Sequence, residues 1–265
     1  MCDFLKLMIL SAVQGLAEFL PVSSSAHLVL VQKALSVEFP GSSLELYLHA
    51  GTLATVCVFY RRRIAQVVSD MARMRARGWH FALCVVLSAV PAGIVYALCG
   101  ERFESVYDST RCVAALMVVN GALLLGASAL VRSPGGGDVS VWRALAMGLG
   151  QAFAILPGIS RSGTSISAGR VAGMGAAKAA EFSFLMSVPA IAGAILVDVA
   201  SSSSGAEAEA ASQFGGASFA AAAVVAAVVG YGALSLVVRT LERGRFWIFG
   251  VYCVAAGAVA LAVLH

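Results

Sequence analysis

Apolar residues along this chain come in long unbroken runs, not in the alternation of a half-buried strand or the narrow stripe of a soluble helix. Full-length runs lie at about Leu44–Tyr60, Phe81–Leu98, Cys112–Val131, Ala179–Ala200, Ser218–Val238 and Phe246–Leu264. A helix needs roughly 20 apolar residues to cross a bilayer, so the pattern predicts about six transmembrane helices. Two further segments, about Phe4–Leu35 and Val141–Met174, are apolar but interrupted midway by Pro, Ser, Gly and charged residues. These predict re-entrant pairs of short helices meeting at polar turns, which lipid tolerates only where protein or a water-filled cavity covers the backbone. The predicted fold is all-α and integral to the membrane, a single polytopic domain over residues 1–265.

Charge placement tests that layout. The loop Arg61–Arg77 carries Arg61, Arg62, Arg63, Arg73, Arg75 and Arg77, and the positive-inside rule makes it cytoplasmic. Counting helices onward puts Arg132, Arg143, Lys178, Arg239, Arg243 and Arg245 on the same side. The opposite side receives Glu101, Arg102, Glu104, Asp108, Arg111, Asp198, Glu207 and Glu209. Helix count and loop charge agree throughout, with the first re-entrant segment entering from outside and the second from the cytoplasm. The two segments also resemble each other. Gln14-Gly15-Leu16-Ala17-Glu18-Phe19-Leu20-Pro21-Val22-Ser23-Ser24-Ser25 aligns with Gln151-Ala152-Phe153-Ala154-Ile155-Leu156-Pro157-Gly158-Ile159-Ser160-Arg161-Ser162 after one residue of slip. Each copy precedes about three spans, and an odd number inverts the second copy, giving an inverted-topology repeat with repeat one about 1–131 and repeat two about 141–265. Pro134–Asp138 and Ser201–Ala217 read as flexible loops.

Composition agrees: 60% hydrophobic and 12% charged residues, with a mean hydropathy of +0.88, leave too little polar surface for a soluble globule. The net charge of +4 sits at the ends of apolar runs, where Lys and Arg anchor loops, and so argues against nucleic-acid binding. The cysteines (Cys2, Cys57, Cys84, Cys99, Cys112 and Cys253) mostly lie inside apolar runs without CxxC spacing and read as small buried hydrophobes. The N-terminal apolar stretch runs into a polar motif without a convincing cleavage site, so it is expected to belong to the mature fold.

Ionisable residues inside membrane segments are functional candidates by default. Glu18, His27 and Arg161 stand out. Glu18 follows Gln14 by four and shares its helical face, and that face leads into Ser23, Ser24, Ser25 and His27. In the second copy, glycines and Ser/Thr caps around Arg161 predict an anion cradle at a helix N-terminus, with the guanidinium fork suited to phosphate oxygens. The plainer readings are a Ser-rich N-cap at Ser23–Ser25, satisfied polar histidines at His49, His80 and His265, and for Arg170 a structural pairing no less than a ligand contact.

Gln14-x-x-x-Glu18, followed by Phe19-Leu20-Pro21-Val22-Ser23-Ser24-Ser25-Ala26-His27, resembles the first signature of the undecaprenyl-pyrophosphate phosphatase family of the bacitracin-resistance type. Pro157-Gly158-Ile159-Ser160-Arg161-Ser162-Gly163 resembles its second, and the likeness extends through Leu48-His49-Ala50-Gly51-Thr52 and Glu181-Phe182-Ser183-Phe184-Leu185. The resemblance implies hydrolysis of undecaprenyl pyrophosphate to the monophosphate carrier of peptidoglycan synthesis, with a divalent metal, Mg2+ or Ca2+. It implies a multi-pass protein of the bacterial cytoplasmic (inner) membrane, and it leaves room for a homodimer and for a lipid-flipping role. Carried over, Glu18, Ser24, His27 and Arg161 are the catalytic set, with Ser24 the nucleophile and His27 its proton acceptor. Gln14, Ser23, Ser25, Ser160, Ser162, Gly163 and Thr164 are expected to bind substrate. Glu18 is expected either to orient His27 or, with Gln14, to hold the metal, although Gln14 brings an uncharged amide where a second carboxylate would favour a metal. Attack by metal-activated water remains the alternative. Loop charge places the headgroup site toward the cell exterior or periplasm. A transporter holding a phosphate headgroup is the competing class. The motifs of the phosphatidic-acid-phosphatase type 2 superfamily are absent.

Overall fold

A computed structural model describes residues 2–37, 43–104, 106, 109–131, 135–201 and 216–263. Arg132, Asp108, Glu207, Glu209 and His265, and the side chains of Glu101, Arg102, Glu104 and Asp198, lie outside what is described, as does nearly all of the Ser201–Ala217 loop. The described chain forms helices α1 (Asp3–Phe19), α2 (Ser24–Leu35), α3 (Ser43–Phe59), α4 (Arg61–Ala72), α5 (Ala76–Glu104), α6 (Thr110–Leu130), α7 (Val141–Phe153), α8 (Arg161–Val171), α9 (Ala176–Ser201), α10 (Gly216–Glu242) and α11 (Trp247–Val263). Among the described residues the only strand-like feature is an isolated bridge between Gly137 and Met174.

Among the described residues, three stretches are long and apolar enough to cross a membrane: Ala76–Gly100 in α5, α6, and α10. Tyr47–Phe59 and α11 are apolar but shorter. Large apolar side chains on these helices have little protein cover, with Leu98 76%, Val228 68% and Val263 69% exposed. Water penalises such exposure and lipid does not. The chain is an all-helical, multi-pass integral membrane protein. Its interior is built on fully buried Phe19, Phe182, Phe184, Met117, Leu124, Met147 and Ile166, with Phe19 edge-on to Phe184 at 5.7 Å between ring centroids.

Small residues set the helix spacing, as expected where lipid removes the hydrophobic drive between helices and close backbone contact replaces it. A Cβ on Gly15 would lie 2.6 Å from the Ala226 carbonyl, so α1 lies hard against α10. A Cβ on Gly121 would lie 2.6 Å from the Gly250 carbonyl and 2.7 Å from the Val254 nitrogen, which fixes α6 on α11. Gly121→Val is expected to destabilise the fold by about 1–3 kcal/mol. A clear drop in the thermal unfolding midpoint in detergent checks this, with Gly126→Val, at a position open to surroundings, as the control that shifts little.

The arginine-rich segment, read from sequence as a loop, is helical over Arg61–Ala72. Its 3.6-residue spacing turns Ile64, Val67 and Met71 inward and leaves Arg61, Arg62, Ala65 and Val68 outside, a pattern that the run of arginines obscures. The corner after it is closed by Asp70, which accepts from Arg77 Nε (2.6 Å) and Nη2 (3.0 Å) and from Arg75 Nη1 (3.1 Å). The Arg77 hydrogen bonds, then those of Arg75, hold its carboxyl below the usual carboxylate range. Arg63 reaches from α4 to Glu181 of α9 at 2.9 Å, and Lys178 pairs with Asp138. Residues 135–138, expected to be flexible, are tied down: Gly137 N donates to the Gly173 carbonyl (3.1 Å) and Arg143 Nη1 to the Asp138 carbonyl (2.8 Å). The basic segments around α4, the α6–α7 connection and the α8–α9 turn thus gather at one end of the bundle.

Two proline-containing turns interrupt the bundle. α1 ends at Leu20, whose extended backbone (φ −62°, ψ 140°) is the conformation that the following Pro21 imposes. Ser23 then takes φ 71° and caps α2, accepting from Ala26 N. α7 ends at Ala154, Gly158 takes φ 104°, and Ser160 caps α8, accepting from Gly163 N.

Candidate active site

The two turns abut. A Cβ on Gly163 would sit 3.2 Å from the Pro21 Cβ, so the start of α8 lies in close contact with the first turn, with little room for a side chain between them. Asn120, in the middle of α6 and fully buried, bridges them. Its Nδ2 donates to the Pro21 carbonyl at 3.2 Å and its Oδ1 accepts from Ser160 N at 3.0 Å. Ser162 Oγ adds a longer bond to the Leu20 carbonyl (3.4 Å), and Gly158 N reaches Ser25 Oγ at 3.5 Å.

At this junction Glu18 is the hub. Arg161 Nη2 donates to its Oε1 at 2.6 Å, while Ser24 Oγ donates to Oε2 at 2.8 Å and Gln14 Nε2 to the same oxygen at 3.1 Å. His49 Nε2 stands 3.9 Å from Oε2. A buried carboxylate is stable only when paired and hydrogen-bonded, and here a guanidinium, a hydroxyl and an amide do both. The group lines a cavity of about 210 Å3 with Ser23, Ser25 and Ser160 as further polar walls and Ala17, Leu28, Ala154, Ile159 and Ile191 as apolar ones.

Two polar atoms at this cavity are buried without a partner among the described residues: Arg161 Nη1 and Gln14 Oε1. Unsatisfied buried atoms of this kind call for an explanation, and a ligand is one. A donor on a guanidinium awaits an anion. A bare amide oxygen beside a carboxylate suits a hard cation such as Mg2+ or Ca2+, which takes oxygen ligands and shares them with phosphate. Among the described residues no group of three or more His, Cys, Asp or Glu side chains is placed to hold a metal unaided. The donor set therefore fits a cation carried in with a phosphate ligand.

Of the residues expected from sequence, Gln14, Glu18, Ser23, Ser24, Ser25, Ser160 and Arg161 line the cavity, whereas His27, Ser162, Gly163 and Thr164 do not. Thr164 Oγ1 turns back to the Ser160 carbonyl (2.9 Å) and Ser162 Oγ faces Ser160 Oγ (3.1 Å), so both brace the turn. The expected Ser24–His27 pair is not formed. His27 Nδ1 lies 2.7 Å from the Ser23 carbonyl, which only accepts, so Nδ1 carries a proton and, in the neutral ring, Nε2 accepts from the Tyr252 hydroxyl at 2.8 Å. The acceptor next to the Ser24 hydroxyl is Glu18, and the imidazole that lines the cavity is His49. Sequence reading left His49 among the satisfied polar histidines and passed over Asn120, although a lone Asn within an apolar run is a signal of its own.

A family model described as bacitracin resistance protein BacA matches residues 7–259. The chain belongs to the BacA family. Curated relatives named undecaprenyl-diphosphatase include one from Desulfosudis oleivorans, 37% identical with 96% of each chain covered. Another, from Moorella thermoacetica, is 34% identical over 98% of this chain and 97% of its own. A third, from Rubrobacter xylanophilus, is 36% identical over 100% and 99%.

Asn120→Leu is expected to leave Ser160 N and the Pro21 carbonyl without their buried partner, at about 1–3 kcal/mol. The unfolding midpoint should fall, and substrate affinity should fall with it as the turns separate; a midpoint and KM both at wild-type values would show that Asn120 does not hold the site.

Proposed function

We propose that the protein is an undecaprenyl-diphosphatase, which removes the terminal phosphate of undecaprenyl pyrophosphate and returns the monophosphate carrier to peptidoglycan synthesis. The observation that carries this reading is the Arg161–Glu18–Ser24 chain of hydrogen bonds along one cavity wall, with a guanidinium N–H still unsatisfied beside it. The names of the relatives supply the substrate. Pure transport of a phosphate headgroup gives no reason to aim a hydroxyl at a buried carboxylate.

In this mechanism Arg161 binds the terminal phosphate through its unsatisfied Nη1, with Ser23, Ser25, Ser160 and the positive end of α8 near the oxygens. Ser24 Oγ attacks the terminal phosphorus, its proton passes to Glu18 Oε2, and the anhydride P–O bond breaks to release undecaprenyl phosphate. Water then attacks the phosphoserine phosphorus, His49 receiving the water's proton while Glu18 returns its own to the departing Ser24 Oγ as the P–O bond breaks and inorganic phosphate leaves. Glu18 and Gln14 Oε1 would hold an Mg2+ or Ca2+ ion, which would neutralise phosphate charge. Direct attack by water, with Ser24 only binding phosphate, is the rival course.

His27 is a positioning residue in this scheme: its Nδ1–H ties down the Ser23 carbonyl at the residue with φ 71°. His27→Ala is expected to lower kcat by about ten- to a hundredfold through misplacement of Ser24. His27→Asn, which can restore the i−4 bond, recovers part of it, and Tyr252→Phe costs less than either.

The topology proposed with this function has about six spans and two re-entrant pairs, α1–α2 and α7–α8, in inverted repeats over about 1–131 and 141–265. The packing supports it, since α1 lies on α10 as α7 lies on α5, and α6 lies on α11, its own counterpart. Loop charge supports a site open to the exterior or periplasmic face of the cytoplasmic membrane. Bacitracin resistance is proposed as the phenotype.

The test is inorganic phosphate release from undecaprenyl or farnesyl pyrophosphate by detergent-purified protein, with and without EDTA. EDTA-sensitive release supports the assignment. A folded wild type that releases nothing with added Mg2+ or Ca2+ overturns it in favour of transport.

A further inference from the structure

A further small cavity lies among the basic turns, where Ser128 of α6 and Ser167 and Arg170 of α8 meet the apolar walls of Ala127, Val131, Leu241 and Phe246 and the backbone at Gly244. Arg170 follows Arg161 by nine residues on α8, about 13 Å along the axis and on the opposite helix face, so the two arginines do not share a cavity. What marks this cavity is its hydroxyls. Serines inside helices ordinarily bond back to the preceding turn, as Ser11, Ser88, Ser165, Ser187 and Ser235 do here. Ser128 and Ser167 do not: the oxygen of each is buried and has no partner among the described residues. Two unsatisfied hydroxyls and a guanidinium that also donates to the Met174 carbonyl (2.9 Å) surround a space of about 90 Å3. That is the room of about three waters or one tetrahedral anion. The lining carries no carboxylate to repel an anion.

We infer that Arg170, Ser128 and Ser167 form a second phosphate site, separate from the Glu18–Arg161 cavity and at the end of the bundle where the basic turns meet. Its ligand is a phosphate dianion or monoester, supplied either as inorganic phosphate or as a lipid monophosphate. Hydroxyls donate to phosphate oxygens, and the guanidinium supplies the charge.

The experiment measures equilibrium binding of radiolabelled inorganic phosphate to full-length protein in detergent, in an Arg161→Ala background that disables the first cavity. Farnesyl monophosphate serves as competitor. The expected result is residual phosphate binding in Arg161→Ala that weakens at least tenfold on adding Arg170→Gln, and severalfold on adding Ser128→Ala with Ser167→Ala. The serine pair guards against misfolding, because removing unsatisfied buried hydroxyls should leave the unfolding midpoint unchanged or raised. Competition by farnesyl monophosphate at concentrations well below those of inorganic phosphate assigns the site to a lipid headgroup, and the reverse order assigns it to the free ion. Equal binding by Arg161→Ala with and without Arg170→Gln overturns the inference, as does no binding in Arg161→Ala at millimolar phosphate. Neither outcome bears on hydrolysis, which is read separately as phosphate release by the wild type.

Discussion

Arg161→Ala is expected to lower kcat for pyrophosphate hydrolysis by about 10²–10³-fold, the usual loss when one donor to developing transition-state charge is removed. It should also lower the unfolding midpoint, because Glu18, 8% exposed, loses the partner at 2.6 Å that offsets its burial. Arg161→Lys should rescue stability more than activity. An ammonium can neutralise Glu18, but it cannot hold Glu18 Oε1 with one nitrogen while offering a second, in fixed geometry, to a phosphate. The double variant Arg161→Ala with Glu18→Ala separates the two effects. If the arginine acts only as Glu18's counter-ion, removing both should restore stability toward wild type and leave activity no lower than in Glu18→Ala alone. If Arg161 also binds phosphate, stability recovers and substrate affinity does not. Measured kcat, KM and unfolding midpoints for the wild type, the two single alanine variants and the double variant decide between these outcomes, and a wild-type kcat in Arg161→Ala would exclude a catalytic role for Arg161.

How far the site could be read from sequence depended on whether a residue's partner lies nearby in the chain. Gln14, Glu18 and the Ser23–Ser25 turn were legible because helical spacing and a proline fix their mutual placement over a few residues. Arg161 was legible because a charge within an apolar segment needs a reason. The histidines were not: His27 stands three residues from Ser24, yet its ring is claimed by the backbone of its own turn and by Tyr252 on α11. His49 looks ordinary on α3 until packing brings it to Glu18. Asn120 likewise gains its role only when both turns meet at α6. The same limit applied to the fold. Long apolar runs revealed the helices in α5, α6 and α10, whereas α4 was hidden because its arginines outweigh an inward stripe of three apolar side chains.

Ser24 and Glu18 carry the other large expected effect, and together they decide the chemistry. The hydroxyl donates to the carboxylate at 2.8 Å, within the range for a base that takes a proton from its nucleophile. Ser24→Ala removes the attacking atom and should reduce phosphate release by about 10³-fold or more if the reaction runs through phosphoserine. Glu18→Gln keeps the shape and the Arg161 contact but cannot accept a proton, and should give a loss of similar size. Because the two residues act as a unit, the double variant should be scarcely worse than either alone. The water-attack course predicts a different set. Ser24→Ala would then weaken substrate binding by only the worth of one hydrogen bond, about 1–3 kcal/mol or roughly 5- to 150-fold in KM, with kcat little changed, while Glu18→Gln would still abolish turnover. Adding a small alcohol sharpens the distinction, since a phosphoserine intermediate can pass its phosphoryl group to methanol as well as to water. Methyl phosphate formed by the wild type in proportion to methanol, at an unchanged rate of undecaprenyl phosphate release, would establish an intermediate whose breakdown follows a slower first step. A Ser24→Ala protein that keeps its kcat and forms no methyl phosphate would assign attack to water and leave Ser24 as a phosphate ligand.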